Sequence, residues 1–453
     1  MDNKEKYDLL ADGETGLPST MGIIPSDTNF KFDTNQIEKS LASSKDFKLN
    51  AFTKEEDNDF AILTFSAEIE YLDEVYNMDL YVCETNNIDL ANYGFGNQID
   101  EKSLDIAQKQ EYYLETSMYF GEDPLTAFHL QLKIMNAIVP DASLAIDFMS
   151  YRLLSAQWLG MTAKSPTPPS PDYLYTLHCI YNDEENGTRR YWFHTHGLHR
   201  CGTVELEMLN ITQGAEQMHT LINMTVKKFL TNAAREKERF VIGYDGMGIN
   251  LCWLRWEEAL KDFPQLVLGG KGDRESEEGD NVHAEPSGIL FAVEDGNMVS
   301  PEIYASTLAE NPIYYITTEE TNRMSDLAKE RFSMFKQVFE KESPKPESKS
   351  FLKNILGSKK EKENEQKWTF LVKLGLDVDN PDEGASEKEH LWFDTLSISN
   401  NQIEGKLLNQ PYWISNLNEG DVKTYPIELL TDWIIYSPDS TYTTDSIYEL
   451  GLL

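Results

Sequence analysis

The chain has 453 residues, 40% of them hydrophobic and 11% aromatic, which excludes a disordered polymer and provides for more than one packed core. Its 77 acidic residues against 40 basic ones leave a formal charge of -37. A surface of that sign repels phosphate backbones, so nucleic acid is disfavoured as a partner and a basic protein is the partner it suits.

The opening MDNKEKYDLLADGE has no basic segment followed by an apolar one, so it does not read as a secretory signal. No stretch approaches the roughly 20 apolar residues that span a bilayer. Four dispersed cysteines, Cys83, Cys179, Cys201 and Cys252, fit a reducing compartment better than a disulfide framework. The expectation is a cytoplasmic protein without stable membrane insertion.

In chain order, FDTNQIEKSLASS reads as a short helix, with Asp33 and Gln36 at capping-box spacing and Ile37 and Leu41 on one face. Leu63, Phe65, Ala67 and Ile69 then alternate with polar neighbours, as do Met78, Leu80 and Val82; this is the period of paired, half-buried strands. Asp123-Pro124 supplies a cap and a first residue for a helix running to Pro140. The run SPTPPSP (165–171) is a loop.

Beyond it, YLYTLHCIY and RRYWFHTH flank Asn186-Gly187, a strong hairpin signal. VELEMLNI is a further strand, and Met218, Leu221, Ile222 and Phe229 mark the inward face of a helix. GGKGDR (269–274) lacks the Ser or Thr of a phosphate-cradling loop and, with the ESEEGD run after it, reads as a mobile acidic loop. Asp245, in YDGMGINL, sits in a turn between strands. Thr317 and Glu320 cap one long helix with Met324, Leu327, Ala328, Phe335, Val338 and Phe339 along one side.

Residues 342–366 are rich in charge, Pro, Ser and Lys and form a linker. Within it, SFLKNILG is short and amphipathic, suited to weak contact with an anionic membrane or to docking on the protein itself. LWFDTLSI and IEGKLL then form a hairpin across Asn400-Asn401. The pattern divides the chain into an N-terminal α+β domain (1–150), a central α+β domain carrying the histidine hairpin (151–341), the linker and a C-terminal module (367–453). The fold class is α+β, with mostly antiparallel sheets, packed helices and a small β-rich, barrel-like C-terminal module.

That module resembles the bacterial family of domain of unknown function 2314. The resemblance covers about residues 366 to 440. It rests on Glu389-His390-Leu391-Trp392, on Ile403, Gly405, Leu407, Asn409 and Pro411 at alternate positions, on Gly420-Asp421-Val422, and on Ile427 through Asp432-Trp433. HTHGL, ELEML and GGKGDR resemble domain of unknown function 4026. These resemblances imply an architecture and a bacterial setting, and no activity. In physical terms Gly405 and Gly420 suit bulges or turns and Trp392 and Trp433 fill a core, while Tyr412 or Trp413 suits an exposed anchor that reads a peptide or partner loop.

Chemistry concentrates in YWFHTHGLHRCG (191–202). Strand positions two apart share a face, so His194 and His196 can address one zinc ion, with His199 or Cys201 closing the set after Gly197. HTHGLH echoes the HxHxDH signature of the metallo-β-lactamase fold, but Leu198 stands at the acidic position and the surrounding chain lacks that fold's alternating strands and helices. A second reading needs no metal. A hairpin across GLHRCG places His194 opposite Glu205 and Trp192 opposite Glu207, an ordinary cross-strand arrangement. His178 and Cys179 are adjacent on a strand and face opposite sides, so they do not pair as base and nucleophile.

No nucleophile elbow, paired CxxC or other catalytic set accompanies the histidines. The first expectation is therefore a non-catalytic cytoplasmic bacterial protein, without cofactor, that binds a basic partner, as an immunity or defence protein does. The alternative is a zinc-dependent hydrolase on His194, His196 and His199, with Glu205 behind them.

Overall fold

A computed structural model describes residues 3–11, 17–56, 60–93, 99–183, 187–243, 248–275, 282–310, 317–343, 368–379, 387–399 and 401–451. The chain clusters into two compact units, residues 1–315 and 316–453.

The first unit begins with helix α1 (Asn3–Ala11) and contains two sheets. Strands β1 (Ser19–Pro25), β2 (Lys48–Lys54), β3 (Leu63–Tyr71), β4 (Glu74–Glu84), β5 (Tyr112–Met118), β6 (Ala142–Asp147) and β7 (Arg152–Ser155) form the first. Their order is β2-β3-β4-β5-β1-β6-β7, and each neighbouring pair is antiparallel. Phe65 stands opposite Leu80 and Ala67 opposite Met78, all four buried, as the alternation requires. Helices α2 (Thr34–Ala42), α4 (Pro124–Ile138) and α5 (Ala156–Lys164) pack with this sheet, and α3 (Glu101–Ala107) lies against β6. The Asp33 side chain accepts from the Asn35 and Gln36 amides, and Asp123 accepts from that of Thr126, so both predicted caps form.

Two buried polar residues of α4 fix its position. The Ser19 hydroxyl donates to Gln131 Oε1 (2.7 Å), and Gln131 Nε2 donates to the Ser19 carbonyl (3.0 Å) and the Thr116 hydroxyl (3.0 Å). Lys133 Nζ donates to the Ala163 and Ser165 carbonyls at 2.8 and 2.7 Å, satisfying acceptors at the end of α5.

The second sheet comprises β8 (Thr176–Asp183), β9 (Arg189–His196), β10 (Glu205–Ile211), β11 (Phe240–Ile242), β12 (Ile249–Arg255) and β13 (Ser287–Glu294), with β14 (Asn297–Val299) beside β13. Its order is β11-β12-β13-β10-β9-β8, with β10 and β13 parallel and the other pairs antiparallel. Helix α6 (Ala215–Asn232) buries Met218, Leu221, Ile222 and Phe229, the face its spacing predicts. Short helices α7 (Trp256–Ala259), α8 (Lys271–Arg274) and α9 (Ala305–Glu310) complete the unit. GGKGDR is accordingly no mobile loop: Gly269, at φ 78°, lies where a Cβ would come within 2.7 Å of the Trp192 ring, and Arg274 is buried on Glu207. Asp245 and the ESEEGD residues from 276 onward lie outside the described residues.

The second unit comprises α10 (Thr318–Glu330), α11 (Phe332–Glu342), β15 (Thr369–Asp377), β16 (Lys388–Ser399), β17 (Gln402–Leu407), β18 (Val422–Pro426), β19 (Leu430–Tyr436) and β20 (Thr441–Thr443). The antiparallel order β18-β17-β16-β15-β19-β20 leaves the sheet open, so the module is β-rich but not a closed barrel. Helices cover its apolar face instead of a second turn of sheet. Phe335 packs on Phe370 and Trp433, with ring centroids 5.8 and 5.3 Å apart, and Trp433 Nε1 donates to the Ala328 carbonyl (3.1 Å).

The single long helix expected after Thr317 is two, broken at Arg331, whose buried guanidinium donates to the Thr444 carbonyl (2.6 Å). Trp433 is buried as expected, but Trp392 is only half-buried, beneath Lys373. The expected linker lies outside the described residues from 344 onward, and SFLKNILG falls with it. No helix among the described residues is long and apolar enough to cross a membrane.

Candidate metal centre

The β8–β9 hairpin builds the site. Its register pairs Thr176 with His196, His178 with His194 and Ile180 with Trp192, so the alternation of β9 puts Trp192, His194 and His196 on the face that also carries His178. The ring centroids of His178 lie 5.2 Å from His194 and 5.0 Å from His196, and those of His194 and His196 are 4.9 Å apart. One nitrogen from each of the three falls within 4.8 Å of the other two. His194 is only 2% exposed, and among the described residues neither of its ring nitrogens has a hydrogen-bond partner. A buried polar side chain in that state is costly unless something else pairs with it.

The surroundings keep the rings neutral. Burial, together with His283, His178 and Arg274, holds His194 well below the ordinary histidine range; burial and the neighbouring imidazoles do the same to His196. His178 is lowered by burial, His283 and Arg152. Neutral imidazoles with available lone pairs are the form that coordinates metal. Aromatic rings wall the cluster. Trp192 lies 4.3 Å from His194 between centroids, and Tyr151 lies 5.0 Å from His196. Tyr151 adopts φ 53°, a strained backbone conformation for a bulky residue, in placing its ring there.

The other expected residues take other places. His199 lies in the turn Leu198–Cys201, and its Nε2 is 2.7 Å from the Pro286 carbonyl rather than among the rings. Burial pushes the Cys201 thiol up to about 12, and its Sγ lies 3.9 Å from the Gly197 carbonyl, so it offers no thiolate. The β9–β10 register is displaced by two from the expectation: His194 stands opposite Glu207, not Glu205. Glu205 is drawn off as the cap of the turn, accepting from the Gly197 and Leu198 amides (2.8 Å each) and the Thr195 hydroxyl (2.6 Å). Gly197 occupies φ 113°, where a Cβ would come within 2.5 Å of the Leu174 carbonyl.

Glu207 is engaged too. Burial pushes its carboxyl up, but Arg274 (2.6 and 2.8 Å), the Ser287 hydroxyl and Trp192 Nε1 (2.6 Å) together hold it below its ordinary value. Arg200 continues the turn into the first sheet, with Nη2 2.6 Å and Nη1 2.9 Å from the Asp147 carboxylate and further bonds to Ser19 and Leu174. Both side chains are fully buried, so the turn beyond the histidines is clamped between the two sheets.

Tyr412 and Trp413 belong to the second unit and are 87% and 64% exposed. Their backbone is held firmly. Buried Glu389 accepts from both amides (2.8 and 3.0 Å), and the Trp413 carbonyl accepts from the Asp379 amide (2.9 Å).

Two adjoining stretches match the two parts of one family model: residues 19–169 its protein of unknown function (DUF4026) N-terminal part, and 177–291 the C-terminal part. Residues 320–450 match the uncharacterized protein conserved in bacteria (DUF2314). The three matches follow the first sheet, the second sheet through most of β13, and the second unit in turn. No curated protein and no solved structure matches the chain.

Proposed function

We propose that this chain, a bacterial member of the DUF4026 family that carries a DUF2314 module, is a metal-binding protein whose ion sits on His178, His194 and His196. The observation that carries the reading is His194, buried among imidazoles with both ring nitrogens unpartnered. A divalent ion of the zinc class converts that cost into a bond, because neutral imidazole is among its preferred ligands. The role is structural rather than hydrolytic. The carboxylates on the neighbouring strand that could act as a general base beside a metal-bound water, Glu205 and Glu207, are consumed by the turn and by Arg274.

Zinc stoichiometry after exhaustive dialysis of the loaded protein tests this. One equivalent is expected in the wild type, none in His194→Ala, and an unchanged equivalent in His199→Ala. A wild type that retains none, or equal retention in all three, overturns the reading.

A second reading rests on Tyr412 and Trp413, two adjacent exposed aromatics on a backbone pinned by a buried carboxylate. Rigid aromatic anchors of this kind carry protein–protein contacts, and a chain of charge -37 favours a basic partner, as in an immunity or defence protein. Salt-sensitive binding to members of a panel of basic proteins, lost in Trp413→Ala, is the expected outcome. Binding indifferent to that substitution contradicts it.

A further inference from the structure

His283 lies far along the chain from the hairpin, on the short turn Val282–Ala284, yet its ring reaches the same cluster. Its centroid is 4.7 Å from that of His194 and 5.2 Å from that of His196. Imidazoles sharing one tetrahedral ion, with metal–nitrogen bonds of about 2.0–2.1 Å, stand with centroids about 5 Å apart. The centroid spacing matches the separations within the hairpin trio, while the nitrogens that fall within 4.8 Å of one another belong to the trio alone, so a rotation of the His283 ring is what would bring its nitrogen to the ion.

The turn is held in place by the strand it serves. Arg274 Nη1 donates to the His283 carbonyl (3.0 Å), and the same guanidinium grips Glu207, the register partner of His194. The His283 ring also packs edge-on against Trp192, at 4.9 Å. Thus one buried ion pair, Arg274 with Glu207, ties the segment bearing His283 to the β9–β10 ladder. Arg274 lies over both Trp192 and Trp256, so this tie sits in an aromatic pocket that fixes its direction.

We propose that His283 is a fourth nitrogen ligand, which makes the centre a closed, all-imidazole tetrahedral site with no position left for water or substrate. The inference rests on the metal reading above and specifies its coordination class. The three strand histidines are fixed by the ladder, so His283, on a turn, is the ligand that swings onto the ion. Closed four-ligand sites are structural, whereas catalytic ones keep an open position. An ion held this way cross-links the hairpin to residue 283.

Cobalt(II) substitution in the full-length chain tests this. The wild type is expected to give the intense visible bands of tetrahedral cobalt. His283→Ala is expected to bind at least about tenfold more weakly, with weaker bands as water enters the shell. His283→Cys is expected to add a thiolate-to-cobalt charge-transfer band absent from the wild type, whose native cysteines supply the baseline. The circular dichroism of each variant reports that it is folded. If the wild type binds no cobalt, the metal reading itself has failed. If the wild type binds, but His283→Ala matches it in affinity and spectrum and His283→Cys shows no thiolate band, the fourth-ligand assignment alone is overturned.

Discussion

His178 and His194 are register partners on β8 and β9, and their rings meet edge to face at 5.2 Å. Among the described residues, no hydrogen bond to the buried ring of His194 offsets the burial of its two nitrogens. The ion proposed above would supply that partner and join the two strands at the same point.

On the proposed metal reading, the metal-free protein carries a cost that zinc would remove. His194→Leu removes two unsatisfied polar atoms whose burial costs about 1–3 kcal/mol each, so its metal-free stability is expected to equal or exceed that of the wild type. Zinc at 100 times its dissociation constant stabilises the wild type by about 2.7 kcal/mol and this variant not at all. Denaturant unfolding with and without zinc measures both.

The trio was only half legible in the sequence. Alternation along RRYWFHTH put His194 and His196 on one face, but His178 required the register of the partner strand as well. The Asn186-Gly187 signal did not supply that register: strands closing symmetrically on those two residues bring position 178 opposite 195, one residue from the observed pairing with 194. His199 is two residues past the glycine that ends the strand, where a tight turn replaces strand geometry and carries its ring to the Pro286 carbonyl. The β9–β10 pairing was missed by two residues because Glu205 is spent capping that turn. His283 had no local signal, since a turn held by a distant arginine leaves no period to read. Helices α2 and α4 were legible from the caps Asp33 and Asp123, and the strand pairs and α6 from their apolar period. The break at Arg331 was not, since Thr317 to Phe339 keeps a helical apolar face on both sides of it.

The buried pair of Arg200 and Asp147 is expected to be the most sensitive point between the two sheets of the first unit. Arg200→Met leaves Asp147 charged and buried, an imbalance worth about 3–5 kcal/mol. Arg200→Met with Asp147→Asn recovers part of that loss, because Asp147 also accepts from the Met149 amide and the Ser150 hydroxyl. Urea unfolding of the single and double variants checks the order; equal stability of single variant and wild type would contradict it.

Asp432 carries a pH signature in the second unit. Burial pushes its carboxyl up to about 6, against the opposing effects of the Trp433 amide, Lys373 and Arg323, with Asp445 adding to the rise. The folded state therefore takes up this proton before the unfolded state, whose carboxyl titrates near 3.8. This contribution is fully present below about 4 and is lost as pH rises through about 6, an effect on the order of 2–3 kcal/mol. Asp432→Asn is expected to flatten stability between those values; an unchanged pH profile would refute the assignment.

Trp413 and Tyr412 contribute little to the fold because their side chains face solvent. Trp413→Ala is expected to change stability by less than about 0.5 kcal/mol. Glu389→Ala, by contrast, strands two amide donors and is expected to cost about 1–3 kcal/mol. Thermal unfolding of the two variants separates a binding surface from a structural one.

The most direct test of the metal centre is zinc K-edge absorption on the loaded full-length protein. The expected spectrum shows a shell of imidazole nitrogens alone at about 2.0–2.1 Å, lost in His194→Ala. A shell of oxygen atoms, a sulfur near 2.3 Å, or a spectrum unchanged by His194→Ala would contradict it.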